Sequence, residues 1–223
     1  MSHNKHTTDG SFRELTQDGC TLDLLRQMAN GWKDPFPQPI VEQVEVFHTV
    51  AKSMGQGKGR KRIINVVRDD LPAVGSKGRF GSLLMQRTKQ DTLVYVAPRV
   101  GWAAISLAKL ATMYGKRLIL FAPASRMPSP HQQVAMELGA EMRFYRVAAM
   151  PNLQAKAEEF ADKHGYFFLP LGLRHPLVTA AIVATADKLA AKHGQPKQVW
   201  TAMSTGVLSR GLQLAWPKAE VHG

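Results

Sequence analysis

The stretch DTLVYVAPRVGWAAISLAKLATMYGKRLILFAP, residues 91–123, decides the fold. A short apolar run rich in β-branched and aromatic residues is followed by a turn, by a segment with helical apolar spacing, and by a second apolar run. Gly115 stands where the helix should end. Two strands joined through a helix run parallel in one sheet, so this segment predicts a βαβ unit.

The same alternation of strands and helices covers the chain from residue 63 onward. Glycines typical of helix ends recur at Gly115, Gly139, Gly165 and Gly194. Apolar runs predict strands at residues 63–67, 92–97, 117–122, 142–147, 166–170 and 198–203. We therefore predict an α/β fold, a parallel twisted sheet with helices on both faces. In such sheets ligands bind beyond the carboxyl ends of the strands.

Three regions are predicted: a flexible polar arm over 1–19, a helical segment with a basic loop over 20–62, and the α/β domain over 63–223. Residues 20–32 have helical spacing that stops at Gly31, and 34–39, DPFPQP, read as a linker. Residues 40–54 predict a second helix. Its apolar stripe would contain Ile40, Val44, Phe47 and Val50 or Ala51.

The charge is strongly positive, because 29 Lys and Arg face 17 Asp and Glu, a formal net charge of +12. Such a surface attracts polyanions or anionic substrates, or is simply a solvated basic surface. GQGKGRKR, residues 55–62, predicts a basic loop. It is either a surface loop or a contact to nucleic-acid phosphates through Lys58, Arg60, Lys61 and Arg62.

Cys20 is the single cysteine, so no internal disulfide framework can form, which fits a reducing compartment. No apolar run approaches the length of a membrane span, and the N-terminal residues have no apolar signal-peptide core. We expect a cytoplasmic protein without membrane contact.

The loop RDDLPAVGSKGRFG, residues 68–81, places Lys77 at a predicted helix start. The helix dipole and partial burial there would lower the pKa of its amine and favour a nucleophile. The alternative is a phosphate-binding or surface lysine. We expect Asp69 and Asp70 to balance local charge or to hold Arg68 and Arg79.

Three further loops follow predicted strands. MSTGVLSRG, residues 203–211, offers small residues and helix-start amides that could cradle a phosphate, or forms a plain turn. APRVGW, residues 97–102, offers Arg99 for an anion and Gly101 for close backbone approach, or a surface arginine and a packing glycine. His175 in the loop at 170–176 is either an acid–base group or a structural residue.

In this order the motifs resemble the fold-type II pyridoxal-phosphate enzymes, the tryptophan-synthase-β-like group, over about residues 62–223. RDDLPAVGSKGRF is similar to the segment around the Schiff-base lysine. The nearest likeness is to the D-cysteine desulfhydrase and aminocyclopropane-carboxylate deaminase branch, where Arg-(Asp/Glu)-Asp, a Gly-rich turn and Lys-x-Arg follow one another. Residues 91–123 resemble the substrate-carboxylate region, HQQVAMELGAEM resembles the next helix and strand, and 199–223 resemble the cofactor-phosphate region.

The resemblance implies a pyridoxal 5'-phosphate cofactor and lyase or deaminase chemistry at Cα or Cβ of an amino acid or amino-acid-like group. Lys77 would form the internal aldimine. Residues 204–208 would bind the phosphate, and Arg99 would lie at the cofactor. The phosphate-binding residues are Ser204, Thr205, Gly206, Val207 and Leu208, and the substrate-binding residues are Ser76, Pro98, Arg99, Val100 and Gly101. A homodimer is the family's usual state and is expected here.

The sequence departs from the family in three places. APRVG replaces Ser/Thr-x-Asn-His/Thr-Gly, so Arg99 stands where the ring-contacting Asn is expected. The phosphate loop has one glycine where the family has two or three. The sequence ends at Gly223, so we expect the fold to lack the family's C-terminal portion, including the residue at the pyridine nitrogen.

One further substrate class and two other functions follow as alternatives. Arg99 and the positive charge suggest a larger anionic substrate, such as an amino-acid group attached to a nucleic acid. A non-catalytic relative would act as a basic nucleic-acid-binding or assembly protein. A nucleotide-binding α/β domain of another family ranks lower, because neither a Walker-A Lys-Ser/Thr nor a full G-x-G-x-x-G is present.

Overall fold

The computed structural model describes residues 20–48, 60–146 and 149–223. The predicted polar arm, 1–19, and most of the basic loop, including Lys58, lie outside these residues. The helices are α1 (Leu22–Met28), α2 (Gly75–Arg87), α3 (Ala103–Met113), α4 (Pro130–Glu137), α5 (Met150–His164), α6 (Pro176–His193) and α7 (Val207–Ala215). The strands are β1 (Val41–His48), β2 (Arg60–Val67), β3 (Thr92–Val96), β4 (Arg117–Pro123), β5 (Glu141–Tyr145), β6 (Phe167–Leu169), β7 (Gln198–Trp200) and β8 (Glu220–His222).

A parallel four-stranded sheet in the order β5-β4-β3-β6 forms the centre. The βαβ unit predicted from residues 91–123 is β3, α3 and β4, with Val94 paired to Ile119. Every residue of β3 is buried, since helices cover both faces of the sheet. The predicted α/β fold is confirmed for this sheet.

Alternate residues of the central strands feed two apolar cores. Leu93 and Tyr95 of β3 point to the larger core, which contains buried residues of α1, α2, α3 and α6. Val94 and Val96 point to the smaller core, which α5 closes with Leu153, Ala157 and Ala161. Burying apolar surface on both sheet faces supplies most of the driving force for this part of the fold.

The helix predicted over residues 40–54 is wrong over residues 41–48, and its part at 49–54, with Val50 and Ala51, lies outside the described residues. Residues 41–48 form β1, which pairs antiparallel with β2, so that Val44 lies opposite Ile64. β-Branched valines spaced through β1 fit a pleated strand, and the partner strand supplies the backbone hydrogen bonds. The predicted basic loop is also wrong over residues 60–62, which begin β2.

Residues 63–67 form a strand as predicted, but the strand is antiparallel and half exposed. Ile63 is 60% exposed and Ile64 is 44% exposed, so this strand is not covered on both faces. An antiparallel pair can leave one or both faces open, unlike a parallel sheet.

The remaining two strands form a separate parallel pair, β7 with β8, which α7 connects. β7 ends at Trp200, earlier than the predicted limit at residue 203. Helices end near the predicted glycines; α5 stops at Gly165, whose left-handed φ of 67° suits a residue without Cβ. Within the described segments, no helix combines the length and apolarity needed to cross a membrane.

Candidate active site

Lys77 lies in the first turn of α2. The loop after β2 runs over residues 68–74, and the helix begins at Gly75, whose φ is 60°. This start places Lys77 near the positive end of the helix dipole, as predicted. The expected partial burial is wrong, because the Lys77 side chain is exposed.

The two carboxylates before Lys77 hold the two arginines, as predicted. Asp69 accepts from Arg79 Nε at 2.8 Å, and Asp70 accepts from Arg68 Nε and Nη2, each at 3.0 Å. Burial raises the pKa of the Asp69 carboxyl above its ordinary value, although Arg79 opposes the rise. Hydrogen bonds from Arg68 lower the pKa of the exposed Asp70 carboxyl.

Arg79 is fully buried, which is rare for an arginine without partners. Besides Asp69, it donates to the Asp34 carboxylate and to the Pro37 carbonyl oxygen, the latter at 2.7 Å. Its guanidinium lies 5.9 Å from the Phe36 ring centroid. No sequence pattern pointed to these contacts with residues 34–37, since that linker is distant along the chain.

The predicted phosphate loop leads into α7. Gly206 is the N-cap residue of this nine-residue helix and has a left-handed φ of 75°. Being a glycine, it has no side chain that could accept from the first amides of the helix. The first backbone N–H groups of any helix lack partners inside the helix, so Val207 and Leu208 present amides at the positive end of the dipole. Such an end binds phosphate and carboxylate groups.

Thr205 of this loop packs against Gly172, in the short 3₁₀ turn Leu171–Leu173. A Cβ on Gly172 would lie 2.3 Å from Thr205 Oγ1, and Gly172 has a φ of 71°. Tyr95 of β3 hydrogen-bonds to the Gly172 backbone, and burial raises the pKa of its phenol. The turn therefore links the central sheet to the phosphate loop, and only glycine fits there.

Lys77 and the phosphate loop line one cavity of about 230 Å³. Its lining includes Ser76, Ser204, Thr205, Gly206, Val207 and Leu208. Ser76, Lys77 and Leu208 also line a second, larger cavity of about 1450 Å³. The Lys77 amine and the start of α7, which are far apart in sequence, thus line the same cavity.

The predicted substrate loop lies elsewhere. Pro98, Arg99, Val100 and Gly101 line neither cavity, and the Arg99 and Val100 side chains are exposed. Ser129 Oγ, at the start of α4, donates to the Arg99 carbonyl oxygen. This contact fixes the loop backbone while leaving the Arg99 side chain in solvent.

Trp102 and Lys109, which the sequence reasoning did not select, line the larger cavity. Trp102 is 68% exposed, and Lys109 Nζ donates to the Ala73 carbonyl oxygen at 2.8 Å. Trp102 is the last residue of the predicted loop 97–102, so its place in a strand-end loop was the available signal.

His175 is the N-cap residue of α6. It is buried, and its Nδ1 accepts from the Leu177 N–H at 3.2 Å. A side chain that caps a buried helix start has a structural task, so this hydrogen bond favours the structural alternative for His175.

The basic candidates are only partly described. Lys61 and Arg62 are exposed on β2; Lys61 forms an ion pair with Glu45 at 2.5 Å, and Arg62 lines the larger cavity. The Arg60 side chain, like Lys58, lies outside the described part. In the described ranges, no three His, Cys, Asp or Glu side chains gather as a metal-binding group.

Comparison with known proteins gives matches among solved structures. No family model matches the chain, and no curated protein matches its sequence. Maize serine racemase superposes with a TM-score of 0.68 at 12% identity, covering 91% of this chain and 60% of that one. An ACC deaminase homologue superposes with a TM-score of 0.66 at 17% identity, covering 86% of this chain and 61% of that one.

A third match is threonine deaminase isoform 2 from Solanum lycopersicum, with a TM-score of 0.59 at 15% identity, covering 70% of this chain and 44% of that one. The chain therefore has the fold of the fold-type II pyridoxal-phosphate enzymes, as the resemblance predicted. It spans 44% to 61% of the length of these three structures.

Proposed function

We propose that the protein binds pyridoxal 5'-phosphate and acts as a lyase or deaminase at Cα or Cβ of an amino acid or amino-acid-like group. The observation that carries the proposal is the cavity that Lys77 shares with the start of α7. The fold supports it, since the matched structures include deaminases and a racemase.

The residues at the smaller cavity suit the two reactive ends of this cofactor. Its phosphate needs several N–H and O–H donors, which the amides of Val207 and Leu208 and the hydroxyls of Ser204 and Thr205 can supply. Its aldehyde needs an amine, which Lys77 supplies. The volume of about 230 Å³ is below the roughly 300 Å³ of small ligand pockets, and the larger adjoining cavity supplies the remainder.

The residues of this chain would divide the work as follows. The bound cofactor supplies an electron sink for negative charge on the substrate Cα. Lys77 would hold the cofactor covalently and then accept and return the Cα proton at Nζ. The α7 amides would fix the phosphate and so orient the ring, while the Lys77 side chain reaches the cavity from the opposite helix start.

The substrate contacts belong to the same proposal. Ser76 lines both cavities and can hydrogen-bond to a substrate carboxylate. The exposed Arg99 would bind the acidic portion of a larger substrate, such as an amino-acid group attached to a nucleic acid. Pro98, Val100 and Gly101 of the same loop line neither cavity, and their contacts to a substrate stay a prediction.

The test is cofactor trapping. The purified protein is mixed with pyridoxal 5'-phosphate, reduced with borohydride and digested, and the modified peptide is found by mass spectrometry. We expect the label on Lys77, visible absorbance before reduction, and loss of both in Lys77→Ala. Lys109→Ala, which changes another lysine at the larger cavity, should retain both. A label spread over surface lysines, or none, would overturn the proposal.

A second candidate, binding of nucleic acid by a basic surface, is favoured by the formal charge of +12 and by the exposed Arg62. Removing one side chain that neutralises a phosphate should reduce the salt dependence of binding by about one unit of slope. We expect this for Arg62→Ala on a generic duplex, and a smaller effect for Lys61→Ala, because Lys61 already pairs with Glu45. Binding that is insensitive to salt would exclude this candidate.

A further inference from the structure

We infer that Arg79 is a positioning residue for Lys77: its buried guanidinium fixes the rotation of α2 and thereby aims the Lys77 amine at the cavity. The inference rests on the proposed function, in which Lys77 holds the cofactor. It concerns a residue that lines neither cavity, so Arg79 would act through the helix that carries both residues and through Asp69, which lines the larger cavity.

Arg79 joins α2 to two other segments of the chain. Its Nε donates to Asp69 in the loop after β2, and its two terminal nitrogens donate to Asp34 and to the Pro37 carbonyl oxygen in the linker. The planar fork of a guanidinium can satisfy acceptors in fixed, separate directions at once. A single side chain therefore clamps the first turns of α2 between the linker and the loop.

The directions of Arg79 and Lys77 explain why the clamp matters. Each residue of an α-helix turns by about 100°, so two residues apart means about 200°. Arg79 and Lys77 therefore leave α2 on nearly opposite sides, Arg79 toward the linker and Lys77 toward the smaller cavity. Fixing the side of α2 that carries Arg79 therefore sets the direction of the Lys77 side chain on the opposite side.

The start of α2 has few other polar contacts, the nearest being Lys109 Nζ, which donates to the Ala73 carbonyl oxygen before the N-cap. The N-cap residue of α2, Val74, makes no side-chain hydrogen bond to the helix, and Gly75 begins it in a left-handed conformation. The next polar anchor is Ser82, whose Oγ accepts from Trp32 Nε1 at 3.2 Å, further along the helix. Among the first five residues of α2, all of them described, Arg79 is the one whose side chain makes hydrogen bonds to other segments.

Stability alone is a weak reason for this cluster. Removing charges from water is costly, and a buried ion pair often stabilises no more than well-packed apolar residues of similar size. Here one guanidinium also lies between two carboxylates, Asp34 and Asp69. The arrangement provides a defined geometry, which an apolar contact would not.

The test uses two ligands to distinguish an effect on the direction of the Lys77 side chain from an effect on folding. Arg79→Lys keeps the charge and loses the fork. Arg68→Lys is the matched control, because Arg68 also donates hydrogen bonds to two carboxylates, Asp70 and Glu42, but does so on the surface. Pyridoxine 5'-phosphate, which lacks the aldehyde, reports the phosphate site; covalent capture of pyridoxal 5'-phosphate reports the direction of Lys77.

In Arg79→Lys we expect covalent capture to slow by about tenfold or more, since small displacements of a reacting group are costly, while the affinity for pyridoxine 5'-phosphate stays within about twofold. Arg68→Lys should change neither. Unchanged capture in Arg79→Lys would overturn the inference, and so would a parallel loss of capture and of pyridoxine 5'-phosphate binding, which would mean a structural role only.

A cofactor-free measurement distinguishes this inference from the proposed function. The acetylation rate of Lys77 by a small neutral reagent is compared with that of Lys109 in the same molecule, and we expect Arg79→Lys to change the ratio. If the wild-type protein captures no cofactor, the proposed function fails, while an altered ratio still supports the positioning and an unaltered one overturns it. Should Arg79→Lys not fold, Asp34→Asn, which removes one acceptor charge, is measured in its place.

Discussion

Arg79 Nε donates to Asp69 Oδ1 at 2.8 Å inside the protein, where the arginine is fully buried. The contact ties the first loop after β2 to the helix that carries Lys77. Asp69 is the inner member of a carboxylate pair whose outer member, Asp70, is exposed and bound by Arg68. Two adjacent residues of the same type therefore have opposite electrostatic surroundings.

This contrast gives stability a pH dependence of opposite sign at the two positions. Burial raises the pKa of Asp69, so the folded protein holds that proton more tightly than the unfolded chain. The stabilisation is complete below about pH 3.9, the ordinary pKa of an aspartate carboxyl, and it is lost as pH rises through the pKa of the folded state. Hydrogen bonds from Arg68 lower the pKa of Asp70, whose stabilisation is present above about 3.9 and lost as pH falls through its folded pKa.

We therefore expect the urea-unfolding free energy of the wild type minus that of Asp69→Asn to fall as pH rises across the acid range. The same difference for Asp70→Asn should rise with pH and be smaller, because the pair is on the surface. Urea melts at a series of pH values measure both. Equal slopes for the two variants would contradict the assignment of their surroundings.

Gly172→Ala should damage the phosphate loop. The new Cβ would lie 2.3 Å from Thr205 Oγ1, and the φ of 71° is strained for alanine. We expect a loss of about 1–3 kcal/mol from strain, with an added displacement of the 204–208 loop and weaker binding of pyridoxine 5'-phosphate.

Gly165→Ala is the control for Gly172→Ala. Gly165 has a similar φ of 67°, but nothing lies within 4 Å of a Cβ there. Gly165→Ala should therefore lower the unfolding free energy through strain but leave the binding of pyridoxine 5'-phosphate unchanged. Urea melts measure the first quantity and a titration with the ligand measures the second. Similar binding in both variants would mean that the contact with Thr205 does not shape the loop.

The sequence predicted the central sheet well because the information is local. The strands β3 and β4 are each a continuous apolar run, and the helix between them has clear apolar spacing, so each element can be read without its neighbours. The same logic located the loops that follow the strands. It brought Lys77 and residues 204–208 to one end of the fold, where they line one cavity, while their chemical roles stay predictions.

The errors arise where a distant partner decides the structure. Residues 41–48 have apolar spacing compatible with either a helix or a strand, and pairing with β2 selects the strand. The inward direction of Arg79 depends on Asp34, 45 positions away in the sequence. Neither contact leaves a periodic signal in the residues around it.

Gly211→Ala should separate α7 from α6. A Cβ at Gly211 would lie 2.6 Å from Cγ2 and 2.9 Å from Cβ of Ile182. The Cβ of Ile182 is fixed to its own helix, so relief requires α7 itself to move, and with it the amides of Val207 and Leu208. We expect destabilisation of about 1–3 kcal/mol, as for other overpacked cores, together with weaker binding of pyridoxine 5'-phosphate.

Gly81→Ala in α2 provides the comparison for Gly211→Ala. There the nearest atom to a new Cβ is Leu110 Cδ1 at 3.2 Å, the end of a side chain that can rotate. Alanine also gains about 1 kcal/mol over glycine in a helix interior, so the net change in unfolding free energy should be small or stabilising. Urea melts of both variants give the two energies, and a titration with pyridoxine 5'-phosphate reports the α7 amides. Equal, small effects in both variants would show that α7 can shift without disturbing its N-terminus, and the phosphate site would then not depend on the packing of α7 against α6.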